Sequence, residues 1–460
     1  MIKVLLSELK LRWTNILWFF GCILLTFFGT VFLTSGLILY TEQGGKRLPG
    51  PVQSIATTVI TTTRTGITAI SQLINPPSMF FEKQQADSEI PSMPFPAKTD
   101  PGYLLLPGID RTSHKYEISL LRISDGKELA HWAPDWDGIY SAKELTGRVI
   151  LGGPHFAQAI HPLVMADGDL IMNTGQFFTR VRFCTSETVW VSKETGHHSL
   201  EFSADGNILA LSVSDQSISD SNYLNRNTRN DEIIKLSPEG KVIQEIPFGK
   251  VLIDNGLSHL LFGHTGQIFQ PDPIHLNQVS EATTSSNYWQ KGDLLISARH
   301  MSTVFIYRPS TAKVIWHKSG PWMNQHDARF VDDHRISVFD NNSIASGPEI
   351  QDSFRTGNDF NKFEIYDFAN DTISEPFAEI LGKMKPRSIS EGRAQLLDDG
   401  GLFFEETNRA RIMRFSQSGL LWEKSNTLDN GKLGAIGWSR YLTQSMIPDA
   451  ILNGKCAARS

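Results

Sequence analysis

The sequence predicts an all-β protein, a six-bladed β-propeller preceded by one N-terminal transmembrane helix. The propeller is predicted because a unit of four short strands recurs six times, at roughly the 40 to 50 residues typical of propeller blades. The helix is predicted because residues 16–40 are apolar and carry no charge. At about 1.5 Å per residue, a helix of that length exceeds the roughly 30 Å hydrocarbon core of a bilayer.

The charges beside this apolar segment predict its orientation. Lys3, Lys10 and Arg12 precede it, so the positive-inside rule places residues 1–15 in the cytoplasm and the rest of the chain outside, although two basic residues also follow the segment. A cleaved signal peptide is the alternative, but the apolar run is longer than a usual signal-peptide core and no small-x-small cleavage site follows. We therefore expect residues 16–40 to be a signal anchor for a large extracytoplasmic domain.

Overall charge and cysteine usage limit the function classes. The formal net charge is -6, without the basic stripe that nucleic-acid binding requires, so no nucleic-acid partner is expected. The three cysteines exclude a disulfide-dense scaffold. Cys22 lies in the apolar segment, which leaves Cys184 and Cys456 as the exported pair, and the sequence does not decide whether they meet.

Residues 41–100 are interpreted as a connector, because proline and glycine are too frequent there for long regular elements. Within it, residues 52–73 place apolar side chains at near-helical spacing. Two interpretations stay open: an amphipathic helix on the membrane or on a partner, and a semi-ordered stalk. The many β-branched residues argue against a stable helix.

The propeller is predicted over residues 101–426. The first half of each unit is a short alternating strand, an acidic turn and a second strand, and the second half is a further strand, turn and strand. First halves begin at Gly102 in degenerate form, and at His161, His198, Asp272, His326 and Gly392. The tail, residues 427–460, is a candidate for a strand that closes the ring, with residues 435–447 as its best segment.

Histidines recur where these units begin. The first strand of each propeller blade lines the central channel, so residues at its start converge near one mouth. Repeat alignment makes His198 and His326 equivalent, with His161 nearly so and His275 in the same place. Four histidines from four blades are therefore expected around one axis. The alternative is that such histidines only hydrogen-bond neighbouring loops and hold the blades together.

The unit that contains His275 adds two more polar residues. Asn277 follows it and Arg299 lies later in the same unit, and a convergence of His, Asn and Arg suits an anionic, oxygen-rich group. The same histidines with Asp327 could ligate zinc or iron. However, neither an HExxH motif nor a cysteine-rich cluster occurs, and Arg299 disfavours a cation. The sequence also has no GxSxG nucleophile motif, so we expect no metal and no cofactor.

Residues 272–342 resemble the arylsulfotransferase family, bacterial six-bladed propellers that act outside the cytoplasm. The stretches that carry the resemblance are "DPIHLNQV", "GDLLISARHMSTVFIYRPSTAKVIWHKSG" and "QHDARFVDDHRISVFDNN". They are similar to the family's D-x-x-H-x-N segment, its G-D-hydrophobic-S-x-R strand and its QHD…FDN blade. The repeat resemblance extends more loosely from Gly102 to about Ser425.

The resemblance implies transfer of a sulfuryl group from a phenolic sulfate ester to another phenol, without a nucleotide donor. It also implies a ping-pong cycle through a sulfated histidine and a location outside the cytoplasm. The predicted anchor departs from the soluble exported members of the family, and with it we expect a propeller in the periplasm, anchored in the bacterial inner membrane. The ligand would be a small anionic molecule, a sulfated aromatic or sugar. We expect the catalytic candidates to be His326, His275 and His198, and the anion-binding candidates to be Arg299, Asn277, Asp327, Asn341 and His161.

One departure from the family concerns the covalent histidine, which is expected near the start of the last blade. The equivalent stretch here has Glu391, Gly392 and Arg393, and no histidine follows His334. Either another channel histidine carries the sulfuryl group, or transfer is direct, or the activity is lost. The sequence therefore leaves two hypotheses: a membrane-anchored sulfotransferase-like enzyme, and a non-catalytic propeller that binds or assembles an integral-membrane partner.

Overall fold

Six antiparallel sheets of four strands each form the blades of a β-propeller, which confirms the predicted six-bladed propeller. The computed structural model describes residues 80–81, 92–148, 150, 153–216, 218, 228–263, 272–343 and 360–454. The predicted cytoplasmic segment 1–15, the transmembrane segment 16–40 and the helix within 52–73 lie outside the described residues. None of the helices that the structure describes is long and apolar enough to cross a membrane.

The strands of each blade are given from the channel outward. The first blade consists of Arg440–Leu442, Tyr103–Ile109, Tyr116–Arg122 and Glu128–Trp132. The second consists of Ile160–Val164, Leu170–Asn173, Phe178–Val181 and Thr188–Val191. The third consists of Gly196–Phe202, Ile208–Ser214, Asn230–Leu236 and Val242–Pro247.

The remaining blades follow the same order. The fourth consists of Leu276–Glu281, Leu294–Ala298, Thr303–Arg308 and Lys313–Ser319. The fifth consists of His326–Phe330, Arg335–Asp340, Lys362–Asp367 and Thr372–Ser374. The sixth consists of Arg393–Leu396, Leu402–Glu406, Arg411–Ser416 and Gly419–Ser425.

The ring is closed by a strand from the C-terminal tail. Arg440–Leu442 pairs with Tyr103–Ile109 and supplies the innermost strand of the first blade. Tyr103–Ile109 is therefore a second strand, which explains why the first sequence unit looks degenerate at Gly102. A two-stranded pairing of Phe80–Phe81 with Leu433–Gly434 is a second contact between a segment that precedes the first blade and the C-terminal tail. Radial repetition of this kind leaves only short strand edges at the rim of each blade.

Burial along the strands follows their place in the blade. The second strand of the third blade, Ile208–Ser214, is buried over most of its length because neighbouring blades cover both of its faces. The outermost strand of that blade, Val242–Pro247, is exposed at three consecutive residues. The acidic turns are capped locally: Asp332 Oδ1 accepts hydrogen bonds from the backbone N–H groups of His334 and Arg335. Asp332 is thereby a turn residue.

The last residues of the predicted connector pack against the sixth and first blades. Asp100 Oδ1 accepts a hydrogen bond from the Tyr441 hydroxyl at 2.7 Å, and its Oδ2 accepts one from Trp422 Nε1 at 2.8 Å. Phe95 contacts the Trp422 ring edge-on at 5.5 Å. These contacts fix the end of the connector to the sixth and first blades.

Short helices occupy several connections between strands. The α-helices are Trp136–Tyr140, Phe248–Asp254, Ser258–Phe262, Ala378–Met384 and Asp449–Leu452. The 3-10 helices are Lys143–Leu145, Gly153–Phe156, Pro309–Thr311, Thr407–Arg409 and Gln444–Met446. Cys184 is disulfide-bonded, and the other two cysteines of the chain, Cys22 and Cys456, lie outside the described residues.

Candidate functional site

Bulges at the starts of the inner strands position the channel residues. In the second, third and fifth blades the strand register shifts just after Ile160, His197 and His326, respectively. The next residues, His161, His198 and Asp327, have φ values of 50°, 53° and 45°. His198 is therefore equivalent to Asp327, and His326 to His197. The repeat alignment was wrong by one residue in the fifth blade, because a bulge inserts a residue that ungapped repeats do not reveal.

Three of the predicted histidines come together at the channel mouth. The ring centroid of His198 lies 4.9 Å from that of His275 and 5.9 Å from that of His326. His161, His198 and His326 each contact the Trp438 ring, at 5.3, 6.0 and 6.0 Å. Trp438 is buried and lies just before the strand that closes the ring, so the closure itself completes the site.

Both ring nitrogens of His326 are hydrogen-bonded within the protein. Nδ1 lies 2.6 Å from Asn341 Oδ1, and Nε2 accepts the backbone N–H of Glu391 at 3.2 Å. The Asn341 amide nitrogen donates to the carbonyl oxygens of Ser388 and Glu391, so its oxygen faces the histidine. Burial and the nearby Arg299 guanidinium hold the pKa of His326 well below its usual range. His326 is a neutral residue that joins the fifth and sixth blades, and Asn341 holds it in place.

His161 and Asp327 also join blades. His161 Nδ1 accepts the backbone N–H of Leu200 at 3.1 Å. Asp327 Oδ1 accepts from Arg329 Nε at 2.8 Å, and its Oδ2 accepts from the backbone N–H of Ala394 at 2.9 Å. Both oxygens of Asp327 are thus engaged, whereas His161 Nε2 has no hydrogen-bond partner among the described residues and lies 3.5 Å from Glu201 Oε1. For His161 and Asp327 the geometry favours the alternative that such residues hold blades together.

His197 determines the tautomer of His198. His197 Nε2 lies 3.0 Å from the carbonyl oxygen of Ser212, so this nitrogen carries the proton. Burial lowers the pKa of His197 well below its usual range, so its Nδ1 is an acceptor. The two Nδ1 atoms of His197 and His198 are 3.0 Å apart, and His198 must therefore donate. His198 is left with a lone pair on Nε2.

His275 is bound to a carboxylate. Its Nδ1 lies 2.6 Å from Asp272 Oδ2, and Nε2 has no hydrogen-bond partner among the residues that the structure describes. The side chain is 20% exposed. Its ring lies 4.3 Å from that of His300, whose Nδ1 donates to the Asp272 carbonyl oxygen. Burial lowers the pKa of His275 to about 4, although Asp272 opposes this shift. At neutral pH the Nε2 atom is therefore unprotonated.

Arg299 lies beside His275, and one of its N–H donors has no hydrogen-bond partner among the described residues. Its backbone N–H donates to the His275 carbonyl oxygen at 2.9 Å, which places it next to the histidine. Within the described part of the chain, its buried Nε has no partner. Burial lowers the pKa of Arg299, and Asp272 opposes the shift. Asn277 is different, because its amide nitrogen donates to the Gln325 carbonyl oxygen at 2.7 Å and only its oxygen is left unpaired.

Among the described residues, two groups of side chains have ligand atoms within 4.8 Å of one another: Asp272, His275 and His300 at the channel mouth, and Asp332, Asp333 and His334 in a turn of the fifth blade. Arg229 Nη1 lies 3.7 Å from Asp272 Oδ2, so a cation already accompanies this carboxylate. The set weighed from the sequence is not assembled as a ligand group, because Asp327 is occupied by Arg329 and a backbone amide. The positive charge of Arg229 beside this carboxylate opposes the binding of a metal cation there.

Buried arginines and carboxylates from the inner strands connect the blades around the channel. Glu201 accepts from Arg329 Nη2 at 3.1 Å and from Arg440 Nη1 at 3.0 Å. Although burial opposes it, these arginines lower the pKa of Glu201 to about 2. Arg393 Nε lies 3.6 Å from Asp327 Oδ2. These ionic contacts hold together the inner strands that carry the His cluster.

Sequence reasoning did not select several residues that complete the site. Asp272 had a signal, because it precedes His275 by three residues in the same motif, and His300 is adjacent to Arg299. His197 is likewise adjacent to His198. Two further residues had no signal of their own, since distant parts of the chain bring them in: Arg229 and Trp438.

The family model described as arylsulfotransferase (ASST) matches residues 165–427, which is more than half of the chain. No curated protein matches the sequence.

Solved structures show distant likeness. A protein of unknown function from Bacteroides caccae is 12% identical over 75% of this chain and 99% of its own, with a TM-score of 0.44. A virginiamycin B lyase from Staphylococcus aureus is 11% identical over 63% of this chain and 70% of its own, with a TM-score of 0.31. A chain of a nidogen/laminin complex is 8% identical over 74% and 98%, with a TM-score of 0.39. The match over residues 165–427 shows that the chain belongs to the arylsulfotransferase family.

Proposed function

We propose that this protein is a membrane-anchored, extracytoplasmic sulfotransferase. It would transfer a sulfuryl group from a phenolic sulfate ester to an acceptor hydroxyl at the channel mouth, without a nucleotide donor. The observation that carries the proposal is the pair formed by His275 and Asp272, in which Nδ1 is held at 2.6 Å from the carboxylate and Nε2 is open.

His275 suits the role of nucleophile better than the other channel histidines. Attack through Nε2 leaves the proton on Nδ1, so the sulfated ring becomes cationic and needs a counterion. Asp272 supplies that negative charge directly. His198 also has an open Nε2, but its partner His197 is neutral and offers no charge. His326 has both ring nitrogens occupied.

Arg299 suits the role of anion clamp. A guanidinium group is permanently charged and presents several donors in a planar fork, which matches the oxygens of a sulfuryl group. Its backbone is fixed to His275, and its buried Nε has no partner among the described residues. A positive charge held beside the nucleophile would stabilise the negative charge that builds on the sulfuryl oxygens during transfer. Asn277 could contribute only an acceptor oxygen to this site.

The location outside the cytoplasm and the membrane anchor are part of the proposal. The uncharged apolar segment 16–40, with basic residues before it, supports an inner-membrane anchor and a periplasmic propeller. The disulfide bond of Cys184 is typical of proteins in oxidising compartments. A small anionic aromatic or sugar ligand remains the proposed substrate class.

The test uses the full chain in detergent with p-nitrophenyl sulfate as donor and a series of phenols as acceptors. We expect acceptor-dependent release of nitrophenolate by the wild type and its loss in His275→Ala. A reaction quenched without acceptor should leave one sulfuryl group on the peptide that contains His275, detected by mass spectrometry. His334→Ala is the matched control, because this histidine lies in an exposed turn and should leave the rate unchanged.

Two results would count against the proposal. If His275→Ala retained the wild-type burst of nitrophenolate release, the nucleophile would be another histidine. If the folded wild type released no nitrophenolate with any phenol, the non-catalytic hypothesis would gain, and a search for an integral-membrane partner through the N-terminal segment would follow.

A further inference from the structure

His300 lies beside the proposed nucleophile and is anchored to the same residue. Its ring centroid is 4.3 Å from that of His275, and the two ring planes are tilted by 34°. His275 Nδ1 lies 2.6 Å from Asp272 Oδ2, while His300 Nδ1 donates to the Asp272 carbonyl oxygen at 2.6 Å. Because Nδ1 of both rings faces Asp272, the Nε2 atoms of both rings face away from it, on the same side.

The Nε2 atom of His300 is open to a ligand. The side chain is 32% exposed, and Nε2 has no hydrogen-bond partner among the residues that the structure describes. In the neutral ring the single N–H is on Nδ1, because the Asp272 carbonyl oxygen can only accept. Nε2 then carries a lone pair, which would repel the oxygens of an anion. It becomes a donor only when the ring takes up a second proton.

The charges around His300 allow such a change when an anion binds. Asp272 Oδ2 lies 3.9 Å from His300 Nδ1 and favours a positive ring. Burial lowers the pKa of His300, Asp272 opposes this shift, and the neighbouring Arg299 and Arg229 add to it. Burial also lowers the pKa of His275 to about 4, so neither ring of the free site is protonated near neutral pH. A bound anion supplies the negative charge that the second proton on His300 needs.

A sulfuryl group on His275 comes within reach of His300. During transfer the sulfur lies in line with Nε2 of His275, and its three other oxygens project sideways from that line. One of them projects into the gap between the two rings, whose centroids are 4.3 Å apart. What remains of the gap matches an N–H···O hydrogen bond, which is about 2.7–3.2 Å long. His300 is thus placed to contact the group that is transferred.

We propose that His300 is a further catalytic residue, which binds one sulfuryl oxygen through a protonated Nε2; this inference rests on the proposed function. The proton comes from solvent when the anionic donor binds, and Nδ1 keeps its own proton on the Asp272 carbonyl oxygen. No bond between His300 and sulfur forms. The positive ring adds to the charge of Arg299 and stabilises negative charge on the sulfuryl oxygens while the N–S bond to His275 forms and the bond from sulfur to the aryl oxygen breaks.

The experiment measures the binding of p-toluenesulfonate to the full chain in detergent. The sulfur of this probe is bonded to carbon, so it presents three sulfuryl oxygens but transfers nothing. Isothermal titration calorimetry in two buffers of different ionisation enthalpy gives the number of protons taken up on binding. We expect the wild type to take up protons near neutral pH, and its affinity for the sulfonate to fall as the pH rises from about 6 to about 9.

Three variants assign the proton. His300→Gln keeps an N–H donor but cannot titrate, so its proton uptake should vanish and its affinity near pH 6 should fall by about 5- to 30-fold, because a hydrogen bond from a charged group becomes a neutral one. His300→Lys keeps a positive charge that does not titrate near neutral pH, and it should bind the sulfonate without proton uptake. His317→Gln is the matched control, since His317 is exposed on the outermost strand of the same blade and the variant should behave as the wild type.

The outcomes separate this inference from the function on which it rests. Proton uptake that persists in His300→Gln, unchanged affinity in that variant, or failure of the folded wild type to bind the sulfonate would each overturn the role of His300, whatever the turnover. If His300→Gln does not fold, proton uptake that persists in His300→Lys has the same consequence. A folded wild type that binds the sulfonate with uptake dependent on His300, yet releases no nitrophenolate from p-nitrophenyl sulfate, would overturn the proposed function and leave His300 as an anion-binding residue.

Discussion

Replacing Asp272 by asparagine tests the charge that the site places behind His275. The amide oxygen of Asp272→Asn can still accept the Nδ1 proton at the present 2.6 Å, so the ring orientation should be preserved. What is lost is the negative charge that faces the imidazole. Arg229, 3.7 Å from Asp272 Oδ2, then lacks its counterion here, which makes the ring environment still more positive.

The size of the effect follows from the kind of hydrogen bond. A bond to a charged group contributes about 1.5–3 kcal/mol and one between neutral groups about 1 kcal/mol, so the substitution should cost about 1–2 kcal/mol in the step that makes the ring cationic. Since about 1.4 kcal/mol corresponds to a factor of ten, formation of the sulfated histidine should slow by about 5- to 30-fold. Binding of the donor should change little.

The assay is the pre-steady-state burst of nitrophenolate from p-nitrophenyl sulfate. We expect a slower burst of unchanged amplitude in Asp272→Asn, while the control Asp254→Asn, an exposed helix residue, keeps the wild-type rate. An unchanged burst rate would refute the view that the carboxylate balances a cationic ring. A normal rate with a reduced amplitude would point to misfolded protein.

Three further outcomes are expected. Arg299→Lys keeps the charge but loses the planar fork, so the KM for aryl sulfates should rise by about tenfold to a hundredfold, whereas a purely structural arginine would lower thermal stability at constant KM. Gly392→Ala should lower the free energy of unfolding by about 1–3 kcal/mol in denaturant melts, because Gly392 has a φ of 91° and an added Cβ atom would lie 2.5 Å from Cζ of the buried Phe339. A variant as stable as the wild type would contradict this. Burial and Asp340 raise the pKa of Glu364 to about 8 from 4.5. The folded state therefore holds this proton more tightly, and the associated stability is complete below pH 4.5 and lost as the pH rises through 8. The melting temperature of Glu364→Gln should accordingly fall less than that of the wild type between pH 5 and pH 9, and parallel curves would refute the assignment.

The fold could be predicted largely because propeller blades are local. Strand, acidic turn and strand are neighbours in sequence, and their turn residues cap their own backbone, as Asp332 does. The site could be predicted only in part. His198, His275 and His326 converge as expected, yet the ungapped repeat placed His326 one residue out of register with His198, because the bulges are a property of strand pairing.

Roles were harder to predict than positions. Four histidines look alike in sequence, and their hydrogen bonds distinguish them: His161 and His326 accept backbone N–H groups from the next blade, whereas His275 faces a carboxylate. The sequence does not indicate which ring nitrogen of each histidine is free, since the hydrogen-bond partners of these nitrogens lie up to 65 residues away. Trp438 was missed because its site role depends on how the tail closes the ring.

The sequence by itself determined the repeat, the number of blades, the family and the residue types near the channel, since these depend on short-range alternation and on turn chemistry. Only the tertiary structure decided which of those residues are open to a substrate. Proton positions, pKa shifts and unpaired donors arise when side chains from different blades are buried together, and burial of that kind is not encoded in any single unit. That is why Asp272 becomes a functional candidate only through its contact with His275 in the structure.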